Sequence, residues 1–217
     1  MNKELVLLLK IAIPTGRLFN RSWNLLREID SSLPELDELS RKLVWRGNVF
    51  EIYLVKPWDI PVYVEEKITE IGIVGGDVIR ERKSNVVIMG RFRFGYCKMV
   101  LASYPEWDIK SKESVKVASK YPKVSEEYFN NKWKGIDYEI VKLNGSVELA
   151  PIANIADCII DLVETGNTLR ENGLEIKDVI FETSAMLIIN EVSFAFKKDE
   201  VLDLIAKMEE AENDQSD

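Results

Sequence analysis

The sequence predicts an α/β protein divided into two domains, and three observations carry that prediction. Short apolar runs alternate with stretches of helical periodicity from one end to the other, the pattern of strands joined by crossover helices. The 217 residues exceed the roughly 150 typical of one domain, and the strand candidates are too many for a single sheet of this length. Hydrophobic residues at 46% and charged residues at 30% are ordinary globular usage, enough to bury a sizeable core.

The elements follow in order. Leu5 to Ile13 reads as a nearly continuous apolar strand closed by Pro14 and Gly16. It feeds a helix from Leu18 to Ile29, with Leu18, Leu25, Leu26 and Ile29 on one face. Val49 to Val55 is a second strand, and Pro61 opens a helix running toward Ile68. Ile71 to Val74 is a third strand, after which Gly75 and Gly76 turn into another helix. Further strands are expected at Val86 to Met89, Cys97 to Ser103, Val115 to Ala118, Tyr138 to Leu143 and Cys158 to Val163, with helices over 124–133, 147–153 and 168–172. A late strand, Ile188 to Val192, and a last helix, Asp199 to Glu209, precede an acidic tail expected to fray.

Such alternation implies mostly parallel sheets. Arg91-Phe92-Arg93-Phe94-Gly95-Tyr96 interrupts the rhythm, so one boundary is placed near Arg91 and a second near Thr183. The first domain is then discontinuous, 1–90 with 184–217, and the second is 91–183. Ligands of such folds sit beyond the carboxyl ends of strands, here in the cleft between the domains.

Composition removes whole classes of function. Lys and Arg number 29 against 37 Asp and Glu, a net charge of −8, which argues against a protein built to wrap a polyanion. There is no histidine, so Ser/His/Asp and Cys/His catalysis, histidine general bases and histidine metal ligands are all excluded. Two cysteines, Cys97 and Cys158, cannot form a four-thiolate zinc site and read as buried thiols. The N-terminal residues lack a signal-peptide pattern and no apolar run reaches the roughly 20 residues of a membrane span, so a cytoplasmic protein is expected.

Three segments carry chemistry. In Asp161-Leu162-Val163-Glu164-Thr165-Gly166-Asn167-Thr168 a buried strand delivers two carboxylates and then turns into a helix. Backbone N–H groups and two hydroxyls converge there, where the helix dipole favours an anion. A phosphomonoester fits such a loop, and the carboxylates suit the vicinal hydroxyls of a ribose. A capped helix start, with Thr165 or Asn167 as cap, explains the same residues, and the residues alone leave both readings open. In Asn144-Gly145-Ser146-Val147-Glu148 a tight turn leaves a strand, Ser146 is placed to cap the next helix, and Glu148 lies in its first turn. In Pro14-Thr15-Gly16-Arg17 a cation stands at a helix entrance, which the dipole disfavours unless an anion is bound. Arg41 is ambiguous by pattern. The alternating Arg91 to Tyr96 stretch fits a single-stranded nucleic-acid platform, but with this net charge an amphipathic strand or subunit contact fits better.

Together these segments resemble the ATP phosphoribosyltransferase family over nearly the whole chain. The resemblance rests on Gly16-Arg17-Leu18, Ser40-Arg41-Lys42-Leu43, Asp59-Ile60-Pro61, Gly72-Ile73-Val74-Gly75, Gly95-Tyr96-Cys97, the run from Leu143 to Pro151, and Asp161 to Leu169 continuing to Asn172-Gly173-Leu174. It implies two domains like the type II periplasmic binding protein fold, and transfer of a phosphoribosyl group from phosphoribosyl pyrophosphate to N1 of ATP, the first step of histidine biosynthesis, with Mg²⁺. Carried over by position, Thr165, Gly166, Asn167 and Thr168 hold the 5′-phosphate. Asp161 and Glu148 contact the ribose with Glu164 nearby, Gly16 and Arg17 meet ATP, and Arg17 and Arg41 face the departing pyrophosphate.

The chain departs from the family pattern at Thr15, where many members carry Lys; Lys10 or Lys142 is the expected compensation. Glu70 stands for the commoner Asp, and Arg93 where some members are acidic. The last helix is followed here only by the short acidic tail, so the resemblance is expected to be to the short form, without a regulatory domain of its own. It implies a homodimer that assembles with a regulatory subunit resembling a histidyl-tRNA synthetase. The competing readings are a non-catalytic module that clamps a small anion, and a nucleobase phosphoribosyltransferase.

Overall fold

The computed structural model describes residues 8–36 and 41–214. Leu5 to Leu7 of the first expected strand and Ser40 lie outside the described residues. In chain order the first elements are β1 (Leu9–Pro14), α1 (Phe19–Ile29), β2 (Val44–Arg46), β3 (Phe50–Val55), α2 (Ile60–Glu65), β4 (Ile71–Gly75), α3 (Gly76–Arg82) and β5 (Val87–Arg91). Then come β6 (Cys97–Ser103), β7 (Ser114–Ser119), α4 (Pro122–Lys132), β8 (Asp137–Lys142), α5 (Leu149–Ile152), β9 (Cys158–Val163) and α6 (Asn167–Glu171). The chain closes with β10 (Glu175–Thr183), β11 (Ala185–Ile189), α7 (Glu191–Phe196) and α8 (Lys198–Asp214).

Two compact units result. The first takes residues up to Ile79, Lys83–Gly95 and the chain from Ser184; the second takes Arg80–Arg82 and Tyr96–Thr183. Residues 91–95, expected in the second domain, fall in the first. β5 pairs along β11, and the chain beyond it stays attached: Phe92 N–H donates to Ala185 O at 2.9 Å and Ala185 N–H to Phe94 O at 3.2 Å.

The first unit is built on a six-stranded sheet, ordered β2-β3-β1-β4-β11-β5. One face packs Ile11, Ile13, Phe50, Ile52, Ile71, Ile73, Leu187 and Ile189 against Trp23 and Leu26 of α1 and Val201, Leu204 and Met208 of α8. The other sets Ala12, Val74 and Ile188 against Ile60 and Val64 of α2 and Val78 of α3. Because helices cover both faces, β4 reads as an unbroken apolar run, and β1 as one interrupted only by Lys10, instead of alternating. Phe92 joins the first of these clusters and stacks on Phe94 with ring centroids 5.0 Å apart, so these aromatics belong to a core and not to a nucleic-acid platform.

The second unit holds a five-stranded sheet, ordered β10-β6-β9-β7-β8. α4 starts at Pro122, and its first N–H groups are received by the buried Glu81 carboxylate: Lys123 N donates to Oε1 at 3.1 Å and Val124 N to Oε2 at 2.9 Å. Cys97 and Cys158 are both buried and not joined in a disulfide, and burial pushes the Cys158 thiol up, away from thiolate chemistry.

The sheets are mixed and not mostly parallel. Parallel pairing is confined to β1 with β3 and β4, and to β7 with β8 and β9. β10 and β11 return antiparallel, as do β2 and the β6–β9 pair. Val192, placed in a late strand by its apolar neighbours, lies in α7, because Asn190 Oδ1 caps that helix by accepting from Val192 N at 2.9 Å. The expected fraying from Glu209 does not occur before Asp214; Met208 and Ala211 hold α8 to the core, and Glu212 Oε1 accepts from Arg93 N at 2.6 Å.

Candidate active site

In the second unit, β9 and β8 are both parallel to β7 and flank it, so the chain segments after Val163 and after Lys142 emerge at the same edge of the sheet. The first is 164–168 and the second 144–148, which brings the two sequence-predicted clusters to one edge. A shared core fixes them there: Val147 and Ala150 from the second segment pack with Ile159, Val163 and Leu169 from the first. Asp161 has the strand parity of Ile159 and Val163, so its half-buried side chain is directed to the sheet face that carries the Glu148 turn. Glu148 is half-buried, while Glu164, Thr165, Asn167 and Thr168 are exposed.

The N-cap of α6 is Gly166, in the left-handed region at φ 76°, and no side-chain cap bond is present. Neither Thr165 nor Asn167 caps the helix. Asn167 N donates a long hydrogen bond of 3.4 Å to the Thr165 hydroxyl, and the Asn167 Oδ1 accepts from Arg170 Nη2. Arg170 Nη1 donates to Thr165 O at 3.2 Å. In the sequence Arg170 carries no signal beyond its spacing from Thr165.

Around Glu148 the expected cap is also absent. α5 is a single turn, and Ser146 adopts φ 49°, a left-handed conformation uncommon for a residue with a side chain. Its carbonyl, not its hydroxyl, meets the helix by accepting from Leu149 N at 3.1 Å. The following turn closes with Asn154, also left-handed at φ 55°. This local strain frames Glu148 on both sides.

In the first unit the same logic gathers the basic residues. β3 runs parallel to β1, pairing Pro14 with Val55, while β2 is antiparallel and pairs Val44 with Tyr53. The residues before β2 therefore lie at the edge where β1 and β3 end, and Leu43 O accepts from Leu54 N at 2.8 Å. Arg41 thus comes to the same sheet edge as Thr15, Gly16 and Arg17. Gly16 takes φ 86° and its carbonyl accepts from Phe19 N at 2.9 Å, starting α1 without a side-chain cap. Arg17 and Arg41 are exposed, and Arg17 Nη1 donates to Gly95 O at 3.1 Å.

Two of the expected compensations separate here. Lys10 lies near the amino end of β1, five residues before Thr15 and so about 16 Å from it along the strand; it does not replace the missing lysine. Lys142, exposed at the carboxyl end of β8, does lie at the edge of its own sheet from which segments 144–148 and 164–168 emerge. Glu70 is structural, accepting from Lys10 N at 2.7 Å and from Lys197 Nζ at 2.8 Å. Arg93 is exposed, and its backbone N–H is held by Glu212.

Among the described residues no group of three or more Cys, Asp or Glu side chains is arranged to hold a metal ion. No described helix is long and apolar enough to cross a membrane. What the two edges offer is backbone donors and hydroxyls for a phosphate, carboxylates for a sugar, and guanidinium groups for further phosphates.

Known proteins match this arrangement. The family model for HisG, ATP phosphoribosyltransferase, matches residues 56–210, more than half of the chain. An ATP phosphoribosyltransferase of Dictyoglomus thermophilum is 48% identical over 202 residues, covering 93% of this chain and 96% of that relative. Among solved structures, the ATP phosphoribosyl transferase (HisG:HisZ) complex from Thermotoga maritima superposes with a TM-score of 0.83 at 33% identity, covering 95% of this chain and 99% of that one. The periplasmic aliphatic sulphonate binding protein SsuA from Escherichia coli, 12% identical, shares the fold with a TM-score of 0.60 over 94% of this chain and 72% of that one.

Proposed function

The chain belongs to the ATP phosphoribosyltransferase family, and from that premise we propose how its residues divide the work. The enzyme transfers the phosphoribosyl group of phosphoribosyl pyrophosphate to N1 of ATP and releases pyrophosphate, opening histidine biosynthesis. In our reading the loop 165–168 receives the 5′-phosphate, Asp161 and Glu148 accept hydrogen bonds from the ribose hydroxyls with Glu164 beside them, and Gly16 and Arg17 meet ATP. The observation that carries the reading is the left-handed Gly166 at the N-cap, where a glycine brings no side-chain cap and the side-chain acceptor for the first N–H groups of α6 is the Thr165 hydroxyl, 3.4 Å from Asn167 N.

N1 of adenine is already a nucleophile. Its lone pair forms the bond to C1 of the ribose as the bond from C1 to the pyrophosphate oxygen breaks, and the electron pair leaves with pyrophosphate. No protein base is required, which agrees with the absence of histidine. The task left to the protein is alignment of two substrates and stabilisation of the negative charge growing on pyrophosphate. Arg17 and Arg41 fit the second task, since a guanidinium is permanently charged and matches phosphate oxygens.

Mg²⁺ is the cofactor we propose. A hard cation that arrives on substrate phosphates needs only one or two protein carboxylates, and one or two of Glu148, Asp161 and Glu164 would hold it without a dedicated cage. It would neutralise charge on the leaving pyrophosphate. We further propose a cytoplasmic enzyme that forms a homodimer and assembles with a HisZ-type regulatory subunit, on the likeness to the Thermotoga maritima HisG:HisZ complex. The alternatives of an anion-clamping module and a nucleobase phosphoribosyltransferase find no support among the relatives.

The test is pyrophosphate release from phosphoribosyl pyrophosphate and Mg²⁺ with ATP or with free nucleobases as acceptor, in the presence and absence of a HisZ-type subunit. Release with ATP alone among the acceptors is the expected result. Release with a free base at an equal rate would overturn the reading.

A further inference from the structure

We propose that Arg170 is a positioning residue for phosphoribosyl transfer, a brace that sets the geometry of the 165–168 loop. The inference rests on the reading that this loop receives the 5′-phosphate. Two hydrogen bonds and one close approach converge on one guanidinium. Nη1 donates to Thr165 O at 3.2 Å, Nη2 donates to Asn167 Oδ1, and a Cβ placed on the intervening Gly166 would lie 3.1 Å from Nη1. The guanidinium therefore spans the loop from beneath, passing under the glycine and gripping the residue on each side of it.

Each grip has a directional consequence. In a trans peptide the carbonyl and the next N–H point in opposite directions, so pinning Thr165 O toward Arg170 turns Gly166 N–H away from it, out of the loop. An Asn amide has one acceptor and one donor end. With Oδ1 held by Arg170, the donor Nδ2 of Asn167 faces the other way. Both donors are thereby fixed on the side opposite the guanidinium. A planar fork is required for this, because one rigid group must reach two acceptors at once. The i, i+4 bond from Arg170 N to Gly166 O at 3.1 Å keeps the helix turn closed while the side chain folds back under the loop.

Arg170→Ala and Arg170→Lys test the brace, with KM for each substrate and kcat as readouts. Loss of two directed donors should raise KM for phosphoribosyl pyrophosphate roughly 10-fold, the scale for one charge-assisted hydrogen bond to phosphate. KM for ATP should stay within about twofold. A lysine keeps the charge but has no fork, so the expected KM of Arg170→Lys lies within about threefold of the alanine variant. Wild-type KM in Arg170→Lys would show that charge alone matters and would overturn the brace, as would an unchanged KM in Arg170→Ala. If the alanine variant does not melt cooperatively, the lysine variant carries the test. Thr168→Ala separates the two levels of inference. An increase in its KM for phosphoribosyl pyrophosphate with no change in Arg170→Ala removes only the brace, whereas no effect of Thr168→Ala removes the loop assignment beneath it.

Discussion

In the second unit the residues proposed to bind an anion are contiguous in sequence and brace one another, whereas in the first unit Arg17 and Arg41 reach a common edge from segments far apart. Thr165 to Arg170 spans six residues and contains its own scaffold: a left-handed glycine, two side chains and the guanidinium that links them. Arg17 and Arg41 belong to the entrance of α1 and to the approach to β2, and only the order β2-β3-β1 places them at one edge. In the proposed reading the first arrangement would bind through geometry that is in place before the ligand arrives, and the second would offer long exposed side chains that gain their value when charge develops. Binding and catalysis should therefore separate between the two units when residues are changed one at a time.

The largest effect is expected from the charged side. Arg17→Ala should lower kcat by roughly 10²–10³-fold, the scale of one electrostatic stabiliser of a transition state, with a smaller change in KM for phosphoribosyl pyrophosphate. Arg41→Ala should act in the same direction. Single-turnover rates equal to wild type in both variants would break the comparison, because the first unit would then only bind.

Next comes Thr168→Ala, which removes a hydroxyl from the other edge. A lost hydrogen bond to a charged phosphate costs about 1.5–3 kcal/mol and should appear as weaker binding of phosphoribosyl pyrophosphate than of ATP. Isothermal titration with each substrate measures the difference, and equal weakening of both would contradict the assignment.

The two left-handed glycines sharpen the contrast. At Gly16 a Cβ meets nothing within 4 Å, so Gly16→Ala carries only the backbone penalty of about 1–2 kcal/mol. At Gly166 the same penalty applies, and the new Cβ also presses on Arg170 Nη1 at 3.1 Å. Gly166→Ala should therefore lose more affinity for phosphoribosyl pyrophosphate than stability, and Gly16→Ala more stability than affinity for that substrate. Melting temperatures and titrations on both variants decide it, and the reverse pattern would place the preformed site in the first unit.

The same contrast governs what the sequence makes legible. β6 and β9 begin and end where their apolar runs do, and most other central strands lie within two residues of them, because burial on both faces leaves a continuous signal. β10 was missed because register shifts at Ile176/Asp178 and Val179/Phe181 insert extra residues, which destroys the two-residue alternation in Glu-Ile-Lys-Asp-Val-Ile-Phe-Glu-Thr. β2 is only three residues long, and α7 depends on a side-chain cap rather than on periodicity. At the site, residues 161–168 announce themselves by a strand that ends in carboxylates and a Thr-Gly turn. The convergence of Arg17 and Arg41 is a property of strand order, which local pattern does not carry. Ser146 misled because a serine before a helix suggests a cap, yet here its left-handed backbone makes the turn.

The smallest expected effect concerns two carboxylates that hold the units together internally, one in each. Burial by itself would raise the Asp30 carboxyl, but hydrogen bonds from Ser32 Oγ and from the backbone N–H groups of Val49, Ser32 and Phe50 outweigh it and hold the group below its ordinary 3.8. Asp178 follows the same pattern: burial raises it, while the Lys132 ammonium and the Tyr128 hydroxyl lower it further, leaving it below 3.8. A carboxylate whose pKa is depressed in the folded state contributes stability that is fully present above its unfolded value and is lost as pH falls through the folded one. Both groups should therefore leave stability flat near neutral pH and reduce it only in acid, below about pH 4. Lys132 is half exposed, so its ion pair with Asp178 is screened and contributes under about 1 kcal/mol. Asp30, nearly buried and bonded mainly to backbone, should resist salt. Urea titrations of Asp30→Asn and Asp178→Asn at pH 7 and pH 3.5, with and without 1 M salt, separate them. The expected result is a smaller loss on acidification in each variant than in wild type, with a salt dependence only at Asp178; a wild-type acid slope in Asp30→Asn would show that its hydrogen bonds do not set the acid limit of the first unit.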